Sequence, residues 1–382
     1  MVRNNDVGKK IAAAFFIMTL AATAVLIIPI DDSSAADAIT VTDGRGTSVK
    51  FDEVASHVVT CGKGPTATVI QLGQLDKIVV CDSYSKNGTE EVFNDLKTRI
   101  AEGKVKADGN VYSSGLDAFK TNVIAAADTE KGGTFDKEKD VIILTASAAN
   151  NTSLNTYFST AGFKKILIWD SITEYDQIID FATAVSKVLT GSVSDKVKSM
   201  ELVEKTISDK LTEKGVAEAD KTKSIYIRVS SSNLALGNTG SLTTSMINAA
   251  GGKNLGKDSE KASPTYTISA SVLTTMRSDN GTDKIVVFLD TTVTDEKLTE
   301  IQNAMGTTNT TYVKLNGLWN NYSIDSKDGV WTMACALYPD YFEGDVPEVK
   351  AEGNNNIVLY AAVGGGVAVV ALIAAVFLMR RR

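Results

Sequence analysis

Two uninterrupted apolar runs bracket the chain, and between them short apolar strands alternate with helical stretches. The first run, residues 11–30 (IAAAFFIMTLAATAVLIIPI), carries no charge and follows Arg3, Lys9 and Lys10. A basic start, an apolar run and then small residues make a secretory signal. Ala36-Asp37-Ala38 fits the small-x-small cleavage rule, which would start the mature chain at Ile39. The run is also long enough to stay in place as an uncleaved anchor. The second run, residues 357–379 (IVLYAAVGGGVAVVALIAAVFLM), precedes Arg380, Arg381 and Arg382. At about 1.5 Å per residue it reaches roughly 34 Å, enough to span a bilayer core. Basic residues stay on the cytoplasmic side. Both ends are therefore expected inside the cell membrane and everything between them outside it.

Between the runs, residues 39–51 (ITVTDGRGTSVKF) alternate in strand fashion around Asp43-Gly44, a hairpin signal. A strand over 57–61, a Gly-Lys-Gly-Pro turn, a helix over 66–75 and the strand KIVVC at 77–81 follow. DVIIL at 140–144 and KILIW at 165–169 continue the pattern. Short apolar strands alternating with helices predict βαβ units and parallel sheets. Residues 173–214 read as a long helical stretch with apolar positions at helical spacing. Gly191 interrupts it, and Ser194-Asp195 can cap a restart. Strands return at 224–229, 284–289 and 312–315, with helices over 240–250, 269–276 and 330–338. Residues 343–356 are polar and read as a stalk.

The expected organisation is a signal or anchor over 1–38, a first α/β lobe over 39–172, a bridging helix over 173–215 and a second α/β lobe over 216–343. A stalk over 344–356, a transmembrane helix over 357–379 and a basic tail over 380–382 complete it.

Composition then narrows the chemistry. The 382 residues carry a net charge of −7, which gives no support for nucleic-acid binding. Three cysteines, Cys61, Cys81 and Cys335, make neither a disulfide framework nor a zinc motif. Cys61 and Cys81 each end a short apolar strand, and either pair or stay as buried thiols. The one histidine, His57, stands at the start of a strand, away from the strand C-terminal ends where α/β sites form. That placement argues against Ser-His-Asp or Cys-His catalysis, so the chain is expected to be no enzyme and to hold no protein-ligated metal. The run Asp136–Asp140 (DKEKD) reads as a solvated charge cluster. Asn-x-Ser/Thr sequons at Asn87, Asn150, Asn151, Asn280, Asn309 and Asn321 are compatible with an outside location.

Several stretches, in this order, resemble the substrate-binding proteins of ABC importers for iron-siderophores, haem and cobalamin. They are ITVTDGRGTSVKF, HVVTCGKGPTATVIQLGQLDKIVVCDSY, YDQIIDFATAVSKVLTG, NTGSLTTSMINAAGGKNL and ALYPDYF. The resemblance covers residues 39–342. It implies two Rossmann-like lobes joined by one long helix, with a metal chelate held between them and no covalent cofactor. It also implies a permease and an ATPase as partners. Two departures stand out. Where the family carries glutamates that dock on the permease, this chain aligns Ala67 and Ser271.

Ligand contacts in such a receptor come from loops after the strands. The candidates are Lys63, Tyr84, Tyr112, Ser147 and Trp169 from the first lobe, and Arg228, Ser231, Asn233, Asp290 and Trp319 from the second. Aromatic rings suit a flat macrocycle or a catecholate, and Arg or Lys suits an anionic chelate. Gly62-Lys63-Gly64-Pro65-Thr66 joins a strand to a helix N-terminus. It reads either as an anion cradle or as a plain βα turn.

Overall fold

A computed structural model describes residues 38–112 and 115–349. The apolar runs at 11–30 and 357–379, the greater part of the leader, the stalk from 350 and the basic tail lie outside the described residues. Among the described residues no helix is long and apolar enough to cross a membrane.

The chain opens with the expected hairpin, β1 (Ile39–Thr42) paired antiparallel with β2 (Ser48–Phe51). The first lobe then lays down β3 (Val58–Thr60), α1 (Lys63–Gln71), β4 (Ile78–Cys81), α2 (Ser83–Lys86), α3 (Asn94–Ala101) and β5 (Lys106–Ala107). It closes with α4 (Leu116–Ala126), β6 (Val141–Leu144), α5 (Ala148–Thr160) and β7 (Lys165–Ile168). Its five strands are all parallel, in the order β5-β4-β3-β6-β7. The order reverses between β3 and β6, so the crevice of a doubly wound sheet lies beyond the ends of those two strands.

The bridging segment is two helices rather than one, α6 (Tyr175–Thr190) and α7 (Asp195–Glu213). Gly191 sits in the left-handed region at φ 82° and ends the first. The Ser194 side chain accepts from the Val197 amide and starts the second. Both helices bury an apolar stripe, including Ile178, Val185, Met200 and Ile207.

The second lobe contributes β8 (Lys223–Ser230), β9 (Asn233–Gly237), α8 (Leu242–Ala249), β10 (Lys253–Asn254), β11 (Thr265–Ile268) and α9 (Ala270–Asp279). It continues with β12 (Ile285–Leu289), α10 (Asp295–Met305), β13 (Thr310–Lys314) and α11 (Ser326–Leu337). The sheet runs β11-β9-β8-β12-β13, with β10 also on β8. β12 joins β8 and β13 in parallel, while β9 folds back antiparallel on β8.

One core runs through both lobes. Val58, Ile78 and Leu167 of the first sheet pack with Phe181 and Met200 of the bridge and with Phe288 and Met333 of the second lobe. The outer face of each sheet has its own cluster, around Phe119 and Phe158 in one lobe and Ile285 and Ile301 in the other. Side chains alternate faces along a strand. Cys61 accordingly lies in the outer cluster and Cys81 in the shared core, on opposite sides of the sheet, and both are free thiols.

Two polar stretches differ from their sequence reading. Asp140, taken as part of a solvated run, is 2% exposed. Its carboxylate accepts from the amides of Ser56, His57 and Asp136 and meets the His57 ring at 2.8 Å. Residues 344–349, expected as stalk, are strapped along the molecule. Trp331 Nε1 donates to the Gly344 carbonyl, Lys327 pairs with Glu348, and the Val349 amide donates to Ser199 Oγ on α7.

Candidate functional site

The loops beyond β3 and β6 are locked together before any ligand enters. Thr145 Oγ1 donates to the Cys61 carbonyl at 2.5 Å. A buried hydroxyl chain, Thr60–Thr66–Ser85, closes on the Gly62 carbonyl and on Asp82. Gly62 has φ 103°, and a side chain there would meet the Tyr112 hydroxyl and Thr145. Glycine is the residue that adopts this backbone without strain. Tyr112 leaves 42% of its surface exposed, yet its hydroxyl turns inward and donates to the Thr145 carbonyl. Burial, with Cys61 nearby, pushes that phenol up. It therefore remains a neutral donor at ordinary pH. Tyr84 meets the Tyr112 ring edge to face at 5.1 Å. Lys63, at the N-terminus of α1, is paired with Glu90 at 3.0 Å. Burial acts to raise the Glu90 carboxyl, but backbone amides and the Lys63 ammonium outweigh it and hold it low.

The second lobe presents a matching cluster at the C-terminal ends of β8 and β12. Tyr226 donates to Asp290 at 2.5 Å, and Asn320 Nδ2 reaches both groups at 3.3 Å. The Thr292 amide donates to the other Asp290 oxygen at 2.9 Å. Burial would raise Asp290; the Tyr226 and Thr292 hydrogen bonds and the charge of Arg228 hold it below the ordinary range. Arg228 itself has no hydrogen-bond partner among the described residues, and its Nε is buried. An unpaired buried N–H of a guanidinium is a costly feature and a ready donor to an anion.

The two clusters are joined along one flank by residues 316–325. Thr68 Oγ1 donates to the Tyr322 carbonyl at 3.1 Å, and the Ile324 amide donates to Gln71 Oε1 at 3.0 Å. A side-chain carbon added at Gly64 would lie 1.7 Å from the Asn321 carbonyl oxygen. Tyr322 takes φ 58°, a left-handed conformation that costs a tyrosine about 1–2 kcal/mol. The interlobe contacts on either side of it hold that strain. Two cavities, of about 480 and 420 Å³, lie elsewhere: beside the opening hairpin and α6, and at the foot of the second lobe by Lys214 and Lys284.

The sequence candidates fall into three groups. Tyr84, Tyr112 and Lys63 stand at the first switch point, and Arg228 and Asp290 at the second. Ser147 lies beyond β6 but caps α5, accepting from the Asn150 amide. Ser231 and Asn233 form the exposed tip of the β8–β9 hairpin, where the Asn233 carboxamide donates to the Ser231 carbonyl. Both tryptophan candidates pack against the shared core. Trp169 is 5% exposed, with its ring against Phe181 and Gly44, at the end of the edge strand β7 rather than on the two strands that flank the crevice. Trp319 is half-buried against Gly329 of α11. Ala67 is fully buried, so α1 presents no docking surface at that position; Ser271 is exposed. Glu90, Tyr226, Asn320 and Tyr322 were not among the sequence candidates. Tyr226 was hidden in the apolar run SIYIRV, and the pairing of Glu90 with Lys63 spans 27 residues.

Two α/β lobes with facing switch points, bridged by helices, define the two-lobed fold of TroA-like periplasmic binding proteins. No protein-family model matches the chain, and no curated protein matches it. Solved structures do. The TroA-like periplasmic binding protein FepB of Veillonella parvula aligns with a TM-score of 0.57 at 12% identity, over 80% of this chain and 91% of its own. CeuE of Helicobacter pylori, in a nickel–histidine complex, gives 0.56 at 14% over 80% and 89%. The periplasmic catecholate-siderophore binding protein VctP of Vibrio cholerae gives 0.54 at 14% over 78% and 99%.

Proposed function

We propose that this chain is the extracytoplasmic solute-binding receptor of an ABC importer. It captures an iron-siderophore, haem or cobalamin-type metal chelate between its lobes and hands it to a permease driven by an ATPase. The observation that carries this reading is Arg228, a guanidinium without a hydrogen-bond partner among the described residues. It stands at one switch point, and the open faces of Tyr84 and Tyr112 stand at the other. A chelate with an anionic edge and a flat apolar face satisfies both. Asp290 and Tyr226 orient the cationic side, and the Lys63–Glu90 pair closes the opposite wall. The similar structures named above bind a catecholate siderophore and a nickel–histidine complex, which agrees with such a ligand. The domain faces outside, and the apolar run at 357–379 anchors it.

The test is a titration of the full chain in detergent with ferric catecholates, ferric hydroxamates, haem and cobalamin, followed by calorimetry. One of these binds below micromolar concentration, and Arg228→Ala weakens it by about tenfold or more, or roughly 1.4 kcal/mol. Absence of binding across the panel overturns the reading.

A second reading, a surface sensory or interaction protein that keeps the fold without transport, draws on Ala67 and Ser271. Neither supplies a docking carboxylate, and Ala67 is not on the surface. Co-purification with a permease and an ATPase from native membranes separates the two.

A further inference from the structure

Six sequons punctuate the chain, and the structure treats one of them differently from the rest. The carboxamide nitrogen of Asn151 is buried and donates to the carbonyls of Ala146 and Trp169 and to Asp170. Asn150 donates to the Val111 carbonyl at 2.7 Å from within α5. Asn280 donates to Met276 at 2.6 Å, at the end of α9. Asn309 donates to Thr282 at 2.9 Å, and its sequon partner Thr311 is fixed in β13 opposite Val286. Asn321 donates to Gly317 within the interlobe loop, with its own carbonyl against Gly64.

Asn87 alone among the six has a side-chain amide with no hydrogen-bond partner among the described residues. It is exposed, it follows the short helix α2, and Thr89 beside it is exposed as well. Gly88 between them tucks under the Phe93 ring, where a side chain would collide at 2.3 Å. That contact turns the Asn and Thr side chains of the sequon outward together.

We propose that Asn87 is an N-glycan attachment site of the native protein. The reacting atom is Asn87 Nδ2. It forms a bond to the anomeric carbon of a lipid-phosphate-linked saccharide, whose anomeric C–O bond breaks as the lipid phosphate leaves. One amide proton passes to the transferase. The other five nitrogens must each give up a backbone hydrogen bond to react. A saccharide on the buried Asn151 has no space, and one on Asn321 must displace the carboxamide from the loop carbonyl of Gly317. The glycan at Asn87 stands three residues from Tyr84, on the rim of the first lobe. The proposal needs the domain to face outside and does not need the crevice to bind a chelate, so a failed ligand titration leaves it standing.

Native protein isolated from the membranes of its source, digested and analysed by tandem mass spectrometry, tests it. The Asn87 peptide is expected to carry the mass of a saccharide, and the Asn151 and Asn321 peptides their unmodified masses. Asn87→Gln expressed in the same host loses that mass while its melting curve matches the unglycosylated wild-type chain. An unmodified Asn87 peptide in the native protein overturns the proposal, as does a saccharide on Asn151 or Asn321.

Discussion

Replacing Gly64 by alanine adds one carbon at a close approach between the lobes. That carbon would lie 1.7 Å from the Asn321 carbonyl oxygen, 2.7 Å from its carbon and 3.0 Å from Tyr322 Cβ. An ordinary carbon–oxygen contact is about 3.3–3.6 Å. Residues 316–325 must therefore retreat by roughly 1.5 Å or more to restore it. That movement carries the Tyr322 carbonyl away from Thr68 and the Ile324 amide away from Gln71, which now stand at 3.1 and 3.0 Å. Each lost hydrogen bond is worth about 0.5–1.5 kcal/mol, and overpacking in general costs about 1–3. Against this, alanine inside a helix gains up to about 1 kcal/mol over glycine. The net expectation is a loss of about 1–3 kcal/mol, read as a fall of roughly 2–6 °C in melting temperature for a domain of this size. Small-angle scattering should show a larger radius of gyration. Thr68→Ala, which removes one of the bonds without a clash, should lose about 1 kcal/mol. A Gly64→Ala chain that melts at or above the parent temperature with unchanged scattering would refute the interlobe account, because the helix-propensity gain would then stand alone.

Glu204 on α7 offers a pH test. Burial, and then the Asp176 carboxylate, raise its pKa to about 6 from an ordinary 4.5. A carboxyl raised on folding binds its proton more tightly in the folded state. Stability is thus full below pH 4.5 and declines as pH rises through 6. Because the group is half-exposed, the effect by pH 7 should be about 1 kcal/mol or less. Glu204→Gln should flatten the pH 5–7 slope of the unfolding free energy, and parallel slopes in the two proteins would sink the assignment. Asn151→Ala strips the Ala146 amide of its buried partner and frees two carbonyls, for an expected loss of about 2–4 kcal/mol in denaturant titration. A loss under about 0.5 kcal/mol would contradict the network. Cys61 and Cys81 should alkylate only after unfolding, and a reductant should leave the melting temperature unchanged; a native mass two hydrogens short would show them joined.

The strands were legible because each is a short apolar run, and the break in the bridge because Gly191 and Ser194 carry local signals that need no tertiary context. β9 and β11 escaped because NLALG and TYTI are too short to declare a period. The candidate site was legible only as a set of positions at or just beyond strand ends. Lys63, Tyr84, Tyr112, Arg228 and Asp290 follow from the rule that α/β crevices open beyond the strand ends. Trp169 obeys the same rule and still packs inward, at the end of the edge strand β7, and the chain does not spell out strand order locally. The bonds of Thr68 and Gln71 on α1 reach residues some 250 positions downstream, contacts that no window of sequence contains.

The strap formed by residues 344–349 has a mechanical consequence. Whatever pulls on the chain beyond Val349 meets the Ser199–Val349 hydrogen bond and the Lys327–Glu348 pair before it reaches either sheet. Behind them stand the Trp331–Gly344 bond and the Trp331–Phe342 ring contact, in series. Tension applied from the C-terminal side would peel these fastenings one after another along α11. Each release adds slack, so the strap works as a fuse that spares the two sheets from the first of the load.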